Sequence, residues 1–460
     1  MGMRGRNRWL IAFASLALIS AIPVTNVVAG SSGAAGPPDA VLAVVDTGIN
    51  PYHETFRDDS SRAFQHPSTY IPGYPADAEA LHLTFGPDYW ESVKADCERV
   101  WSNVLDEKLY WIPGTRIVGA ITFDLAGGLD CDRNKPSSYG IILDSQGHGT
   151  MTASRAVSKD YGGCPGCLVV AVEGLNIAAI EWAAENASWV DAQSNSWAPL
   201  PVWEPTGFAG SDTRFVRAVE ATSATHLAFW SSGNGAARKG GVLGHPTAVD
   251  PHHTPSAIIV GGHDSGYVTT WPGFSAHVVS DACAAWAAHH DHASRSGDRV
   301  SGGTSGATPF AAGIALETLR TARSILGSAG TGVHNGVVAR GPAGLVKQGP
   351  LADGVFTLDE WKRVVFVTAT PRPARQREDG PPCGALEAPH NETPVRWVDI
   401  PPQYPEYVQI GYGASDRPAQ RLATQVLRGE IPAPDRARTD SYFAVDHQVR
   451  TLTYGVFSKP

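Results

Sequence analysis

Gly302-Gly303-Thr304-Ser305-Gly306-Ala307-Thr308-Pro309 opens an Ala- and Gly-rich stretch that continues to Leu326. The two leading glycines let the chain turn sharply, and the residues after them predict a closely packed helix over 304–326. The unpaired N–H groups at the start of that helix carry partial positive charge beside the Ser305 hydroxyl. Pro309 is placed early, where helical N–H groups lack partners and a proline costs little. Upstream lie Gly147-His148-Gly149-Thr150 and, further back, Val45-Asp46-Thr47-Gly48. Taken singly, these are a Gly/Ser loop, one of 16 histidines and an Asp-Thr-Gly turn.

Together they supply what a serine nucleophile needs. A free hydroxyl is a weak nucleophile and requires an adjacent base. His148, with an ordinary value near 6.5, suits proton transfer at neutral pH. Asp46 would accept the imidazole N–H, fix the tautomer and stabilise the imidazolium. The order Asp, His, Ser differs from that of α/β-hydrolases, where serine comes first, and Ala307 breaks the G-x-S-x-G pattern.

The surrounding sequence reads as an alternation of strands and helices. Val41–Val45 is an apolar run ending in Asp46, a buried parallel strand. Strands are predicted at 116–123, 168–172, 189–196, 227–231 and 257–261. Helices are predicted at 149–158, 177–186, 214–224, 304–326, 357–368 and 417–427. Such alternation implies an α/β fold, a three-layer, doubly wound, mostly parallel sheet with helices on both faces. Active sites in these folds sit at the carboxyl ends of strands, and Asp46 and Asn234 fall at or just past such ends. Residues 60–135, rich in Trp, Tyr, Pro and Asp without periodicity, read as an inserted surface region. Residues 371–402 read as a Pro-rich loop.

The motifs around Asp46, His148 and Ser305 resemble those of the subtilisin-like (S8) serine peptidases, the subtilases, over roughly residues 40–330. The resemblance implies a subtilisin-like fold and the catalytic triad Asp46-His148-Ser305. It places Asn234, within Ser231-Ser232-Gly233-Asn234-Gly235, as a side-chain donor to the oxyanion, with the Ser305 N–H as the second donor. It makes Ser196, Trp197 and Ala198 a strand that pairs with an extended substrate, and Ser231, Ser232 and Gly233 the other wall of the specificity pocket. Family members usually carry Gly where Ala198 stands and a smaller residue than Trp197. A flat Trp197 would favour apolar substrate side chains. The 102 residues from Asp46 to His148 are a longer interval than is usual, so the 60–135 region could line or cover the cleft.

The N-terminus reads as an export signal: Arg4, Arg6 and Arg8, then an apolar Trp9–Val24 segment, then small residues at 27–30. An uncleaved N-terminal anchor is the alternative. Cleavage near residue 29 leaves about ten residues before the first strand, without room for the family's usual inhibitory prodomain. The expected organisation is a signal peptide at 1–29, a linker at 30–40, a peptidase domain at 41–370 and a C-terminal extension at 371–460 that packs on or completes it. No later segment is apolar enough to span a membrane. Six cysteines in an exported chain imply disulfides, with Cys97–Cys131 and Cys164–Cys167 the preferred pairs. The Cys-Pro-Gly-Cys run could instead be a redox or zinc half-site.

The hydrophobic fraction of 42% and charged fraction of 18% fit a globular protein with a sizeable core. A net charge of −9 argues against a nucleic-acid partner. The chemistry requires no cofactor; Asp130, Asp132 and Asn134 form a candidate structural calcium loop. The sequence therefore predicts a secreted, monomeric serine endopeptidase acting on protein or peptide substrates, with no nucleic-acid partner and no stable membrane association after signal cleavage. Two alternatives stay open: a non-catalytic or latent binding protein that keeps the fold, and an esterase or peptide ligase using the same acyl-enzyme.

Overall fold

The computed structural model describes residues 39–87, 89–123, 142–144, 146–197, 213–231, 257–264, 267–269, 277–281, 286–288, 298–300, 303–371, 374–377, 397–399 and 412–436. The strands are β1 (Val41–Asp46), β2 (Glu79–Ala80), β3 (Tyr110–Trp111), β4 (Ile117–Thr122), β5 (Leu168–Glu173), β6 (Ala192–Asn195), β7 (Leu227–Ser231) and β8 (Ala257–Asp264), followed by β9 (Tyr267–Thr269), β10 (Val278–Asp281), β11 (Trp286–Ala288), β12 (Asp298–Val300), β13 (Val337–Arg340), β14 (Val355–Thr357), β15 (Ala374–Arg377) and β16 (Trp397–Asp399). The helices are α1 (Tyr89–Cys97), α2 (His148–Val157), α3 (Ile177–Glu185), α4 (Thr213–Thr225), α5 (Thr304–Leu326), α6 (Leu358–Val367) and α7 (Arg417–Leu427).

The main sheet runs β16-β15-β9-β8-β7-β6-β1-β5-β4-β3-β2, with β10 also on β8. Its centre, from β4 through β5, β1, β6 and β7 to β8, is entirely parallel. Strands such as Val41-Leu42-Ala43-Val44-Val45 are apolar on both faces because both faces are covered. Leu42 and Val44 face one core with Ala153 and Ala156 of α2 and Ala307, Ala311 and Ala315 of α5. Val41, Ala43 and Val45 face the other, with Ala179 and Ile180 of α3 and Phe215 and Val219 of α4. This is the mixed α/β, mostly parallel architecture that the sequence pattern predicts.

After β1 the chain builds β4 and β5 on one side, then crosses to β6, β7 and β8 on the other. The strand order thus reverses at β1. A crevice opens at the carboxyl edge of such a point, because successive crossovers diverge there. Asp46 is the last residue of β1.

The region 60–123 is not confined to the surface. It supplies β2, β3 and β4 to the sheet, and Val93, Cys97, Trp101 and Ile117 to the core. The strand expected at 189–196 is shorter, because Trp189 and Val190 still donate to the Asn186 carbonyl at the end of α3. Asp191 is held by a wholly buried pair with Arg323 (Nη2–Oδ1 2.5 Å), and also accepts from the N–H of Val41 and Gly332. The loop expected at 371–402 contains β15, parallel to β9, and β16, antiparallel to β15. Edge strands of three or four residues follow a partner distant in sequence and leave little local pattern. Asp416 caps α7 through the Ala419 N–H at 2.9 Å, and Arg417 of that helix donates to the carbonyls of Gly162 and Gly163.

Cys164 and Cys167 are bridged. Cys97 is also disulfide-bonded. The signal segment 1–29, the calcium candidates Asp130, Asp132 and Asn134, and Cys131, Cys283 and Cys383 lie outside the described residues. Among the described residues, no helix is long and apolar enough to cross a membrane.

Candidate active site

Asp46 and His148 meet through two loops that could not approach if side chains stood in the way. Gly48 has φ +105°, and a Cβ there would lie 2.5 Å from the Ile142 carbonyl oxygen. A Cβ on Gly149 would lie 2.1 Å from the Gly48 carbonyl oxygen. The glycines flanking the acid and the imidazole are therefore steric necessities. His148 Nδ1 lies 2.7 Å from Asp46 Oδ1. That contact selects the Nδ1–H tautomer and leaves Nε2 free to take a proton. Asp46 also accepts the Thr47 N–H at 2.8 Å, and Thr152 Oγ1 lies 3.1 Å from its second oxygen. Asp46 is 1% exposed, while a third of the imidazole remains exposed. The Asp46 carboxylate raises His148 above its ordinary value, outweighing the opposite pull of burial.

Ser305 is the second residue of α5, after Gly303 at φ +80°. Pro309 stands in the second turn of the helix, not the first. It offers no N–H to the Ser305 carbonyl four residues back, and Ser196 Oγ donates to that carbonyl instead, at 3.0 Å. Ser305 Oγ in turn donates to the Ser196 carbonyl at 3.3 Å. Among the described residues no hydrogen bond joins Ser305 to His148. Asp46 and His148 are paired, and the Ser305 hydroxyl is held by the residue that follows β6. Rotation about its Cα–Cβ bond is the movement that would redirect it.

A second carboxylate underlies the site and was not read from the sequence. Asp144, fully buried, accepts from Thr47 Oγ1 (2.8 Å) and from the N–H groups of Gln146 (3.1 Å), Gly147 (2.6 Å) and Thr150 (2.7 Å). Thr47 Oγ1 in turn accepts the Gly149 N–H at 2.9 Å. Asp144 thus caps α2 and ties the residue after Asp46 to the residue after His148. Burial pushes its carboxyl up to about 6, against the pull of the Thr150 and Thr47 hydrogen bonds. An acid four residues before a glycine-flanked histidine was the available signal.

Trp197 is 8% exposed, and its ring packs on Phe215 (6.3 Å) and Trp230 (5.9 Å). It is turned into the core and presents little surface to a pocket. Ser231 is buried at the end of β7. Ala198, Ser232, Gly233 and Asn234 lie outside the described residues. Among the described residues, Cys164, Cys167 and Glu317 form one cluster with metal-ligand spacing. Its two sulfurs are bonded to each other, which leaves no thiolate to bind an ion.

The sequence profile of the Subtilase family (Peptidase S8) matches residues 38–328, a span that includes Asp46, His148 and Ser305. The chain is a subtilase. No curated protein matches it. Among solved structures, the Patellamide maturation protease PatA is 15% identical with a TM-score of 0.43, over 86% of this chain and 98% of that one. A cold adapted subtilisin-like serine proteinase is 17% identical with a TM-score of 0.34, over 62% of this chain and 76% of that one. The assignment rests on the profile, which covers the central parallel sheet and α5 of this subtilase. α7 lies beyond the matched span.

Proposed function

We propose that this subtilase is an exported serine endopeptidase using Asp46, His148 and Ser305. The observation that carries the reading is the 2.7 Å contact of a buried Asp46 with a partly open His148, at the strand edge where a helix N-terminus presents Ser305. Ser305 Oγ turns from the Ser196 carbonyl to His148 Nε2. The oxygen attacks the scissile carbonyl as His148 takes its proton, and His148 returns that proton to the leaving amine. Asp46 holds the imidazole and stabilises it when charged. The Ser305 N–H and Asn234 would hold the oxyanion, and loss of such a side-chain donor in subtilisin costs about 10²–10³ in turnover. Water, activated by the same histidine, then releases the acyl group. Ser196 and Trp197 follow the strand against which a peptide would lie; Ala198, Ser231, Ser232 and Gly233 complete the proposed subsites. The apolar leader at 1–29 supports export.

The parked Ser305 hydroxyl favours a second reading, a latent form. Fluorophosphonate labelling of purified protein, with Ser305→Ala as control and casein hydrolysis alongside, tests both. Labelling lost in the variant, with casein cut, supports the peptidase. Labelling without cleavage indicates a covered cleft. Folded protein that never labels sinks the reading.

A further inference from the structure

Arg155 lies two helical turns after His148 on α2, on the same face. It is 1% exposed, and burial lowers it to about 10. Its Nε donates to the Gly306 carbonyl at 3.3 Å, and Nη2 to the Asp281 carbonyl at 3.0 Å. Its guanidinium carbon stands 4.5 Å above the Phe310 ring. Gly306 and Phe310 are one turn apart on α5, and Gly306 follows the nucleophile. One planar cation therefore spans the first turns of the Ser305 helix from the His148 helix. Asp281 and Tyr161 are the ionisable groups that act on it.

Small groups also pack between α2 and α5. Ala153, Ala156, Ala311 and Ala312 pack there, and a Cβ on Gly313 would lie 2.7 Å from the Ala156 carbonyl oxygen. Contacts between small groups hold two helices close but by themselves do little to stop them sliding along each other. An apolar side chain would fill the Arg155 position at less cost than a buried cation. What the guanidinium adds is direction: donors aimed at fixed carbonyls define an axial register, and register sets how far Ser305 stands from His148.

We infer that Arg155 is a positioning residue that sets the register of the nucleophile helix against the base helix. The inference rests on the proposed peptidase reading. It is tested by comparing wild type, Arg155→Met and Arg155→Lys for fluorophosphonate labelling rate and for kcat and KM on a peptide ester. Arg155→Met keeps volume and loses the donors; a displacement near 1 Å lowers labelling and kcat by about 10–100-fold while KM holds within about twofold. Arg155→Lys keeps the charge over Phe310 and recovers part of the rate. A folded Met variant that labels like wild type overturns the role and leaves the peptidase reading standing. If the Met variant does not fold, the Lys variant decides: full wild-type labelling overturns the role, and slower labelling with KM kept supports it. A wild-type protein that does not label removes the peptidase reading itself, and this role with it.

Discussion

Replacing Asp144 by Asn tests the balance between burial and hydrogen bonding beneath the site. The wild-type carboxyl accepts from Thr47 and three backbone N–H groups, yet burial leaves it at about 6 against 3.8 in the unfolded chain. Between those values the folded chain holds a proton that the unfolded chain has released. Wild type therefore gains stability from this group at the acid end and loses it as pH rises through 6. The change is about 2 kcal/mol between pH 4.5 and pH 7.5. Asn cannot titrate, and its NH₂ faces the Thr150 N–H where Oδ2 accepted at 2.7 Å. Asp144→Asn is thus destabilising, and costs about 2 kcal/mol more at pH 4.5 than at pH 7.5. Urea unfolding followed by tryptophan fluorescence, in a Ser305→Ala background that cannot digest itself, measures both costs. A cost equal at the two pH values, or larger at pH 7.5, would refute the reasoning, because the hydrogen bonds would then outweigh burial.

Three further outcomes are expected. Because Asp46 raises His148, the neutral base dominates only above the ordinary 6.5, and the Ser305 labelling rate rises along a limb above that pH; Asp46→Asn moves the limb down and slows labelling by about 10³–10⁴-fold. His226 is fully buried, with Nδ1 3.0 Å from Thr225 Oγ1 and its value pushed down to about 3. The unfolded chain binds its proton first, so stability falls as pH drops below 6.5, by about 2 kcal/mol from pH 7 to pH 5; His226→Leu removes that slope in urea titrations, and an unchanged slope counts against it. Ser196→Ala leaves the Ser305 carbonyl without its donor and costs about 1–2 kcal/mol, while Pro309→Ala restores a helical N–H to that carbonyl and shrinks the loss. Strict additivity of the two substitutions in melting experiments would contradict this coupling.

Local rules alone placed much of the molecule. The bounds 304–326 and 417–427 were legible because caps mark them: Gly303 and Gly327 around α5, Asp416 before α7. β1 was legible because a strand covered on both faces is apolar throughout, and the motifs around Asp46, His148 and Ser305 pointed to the subtilase family before any contact was seen. Only the tertiary structure decided how those residues meet. The acid and base, 102 residues apart, meet at 2.7 Å. The Ser305 hydroxyl rests on the Ser196 carbonyl, 109 residues away, and the proline thought harmless in the first turn freed a carbonyl that a distant serine satisfies. Neither Asp144 nor Arg155 stood out in the sequence. Their roles come from burial and from partners on other elements, and a local sequence window contains neither. Periodicity and capping act over a few residues and are written in the chain. Which buried charge faces which carbonyl depends on where the sheet brings its strands, and that is settled only when the chain closes.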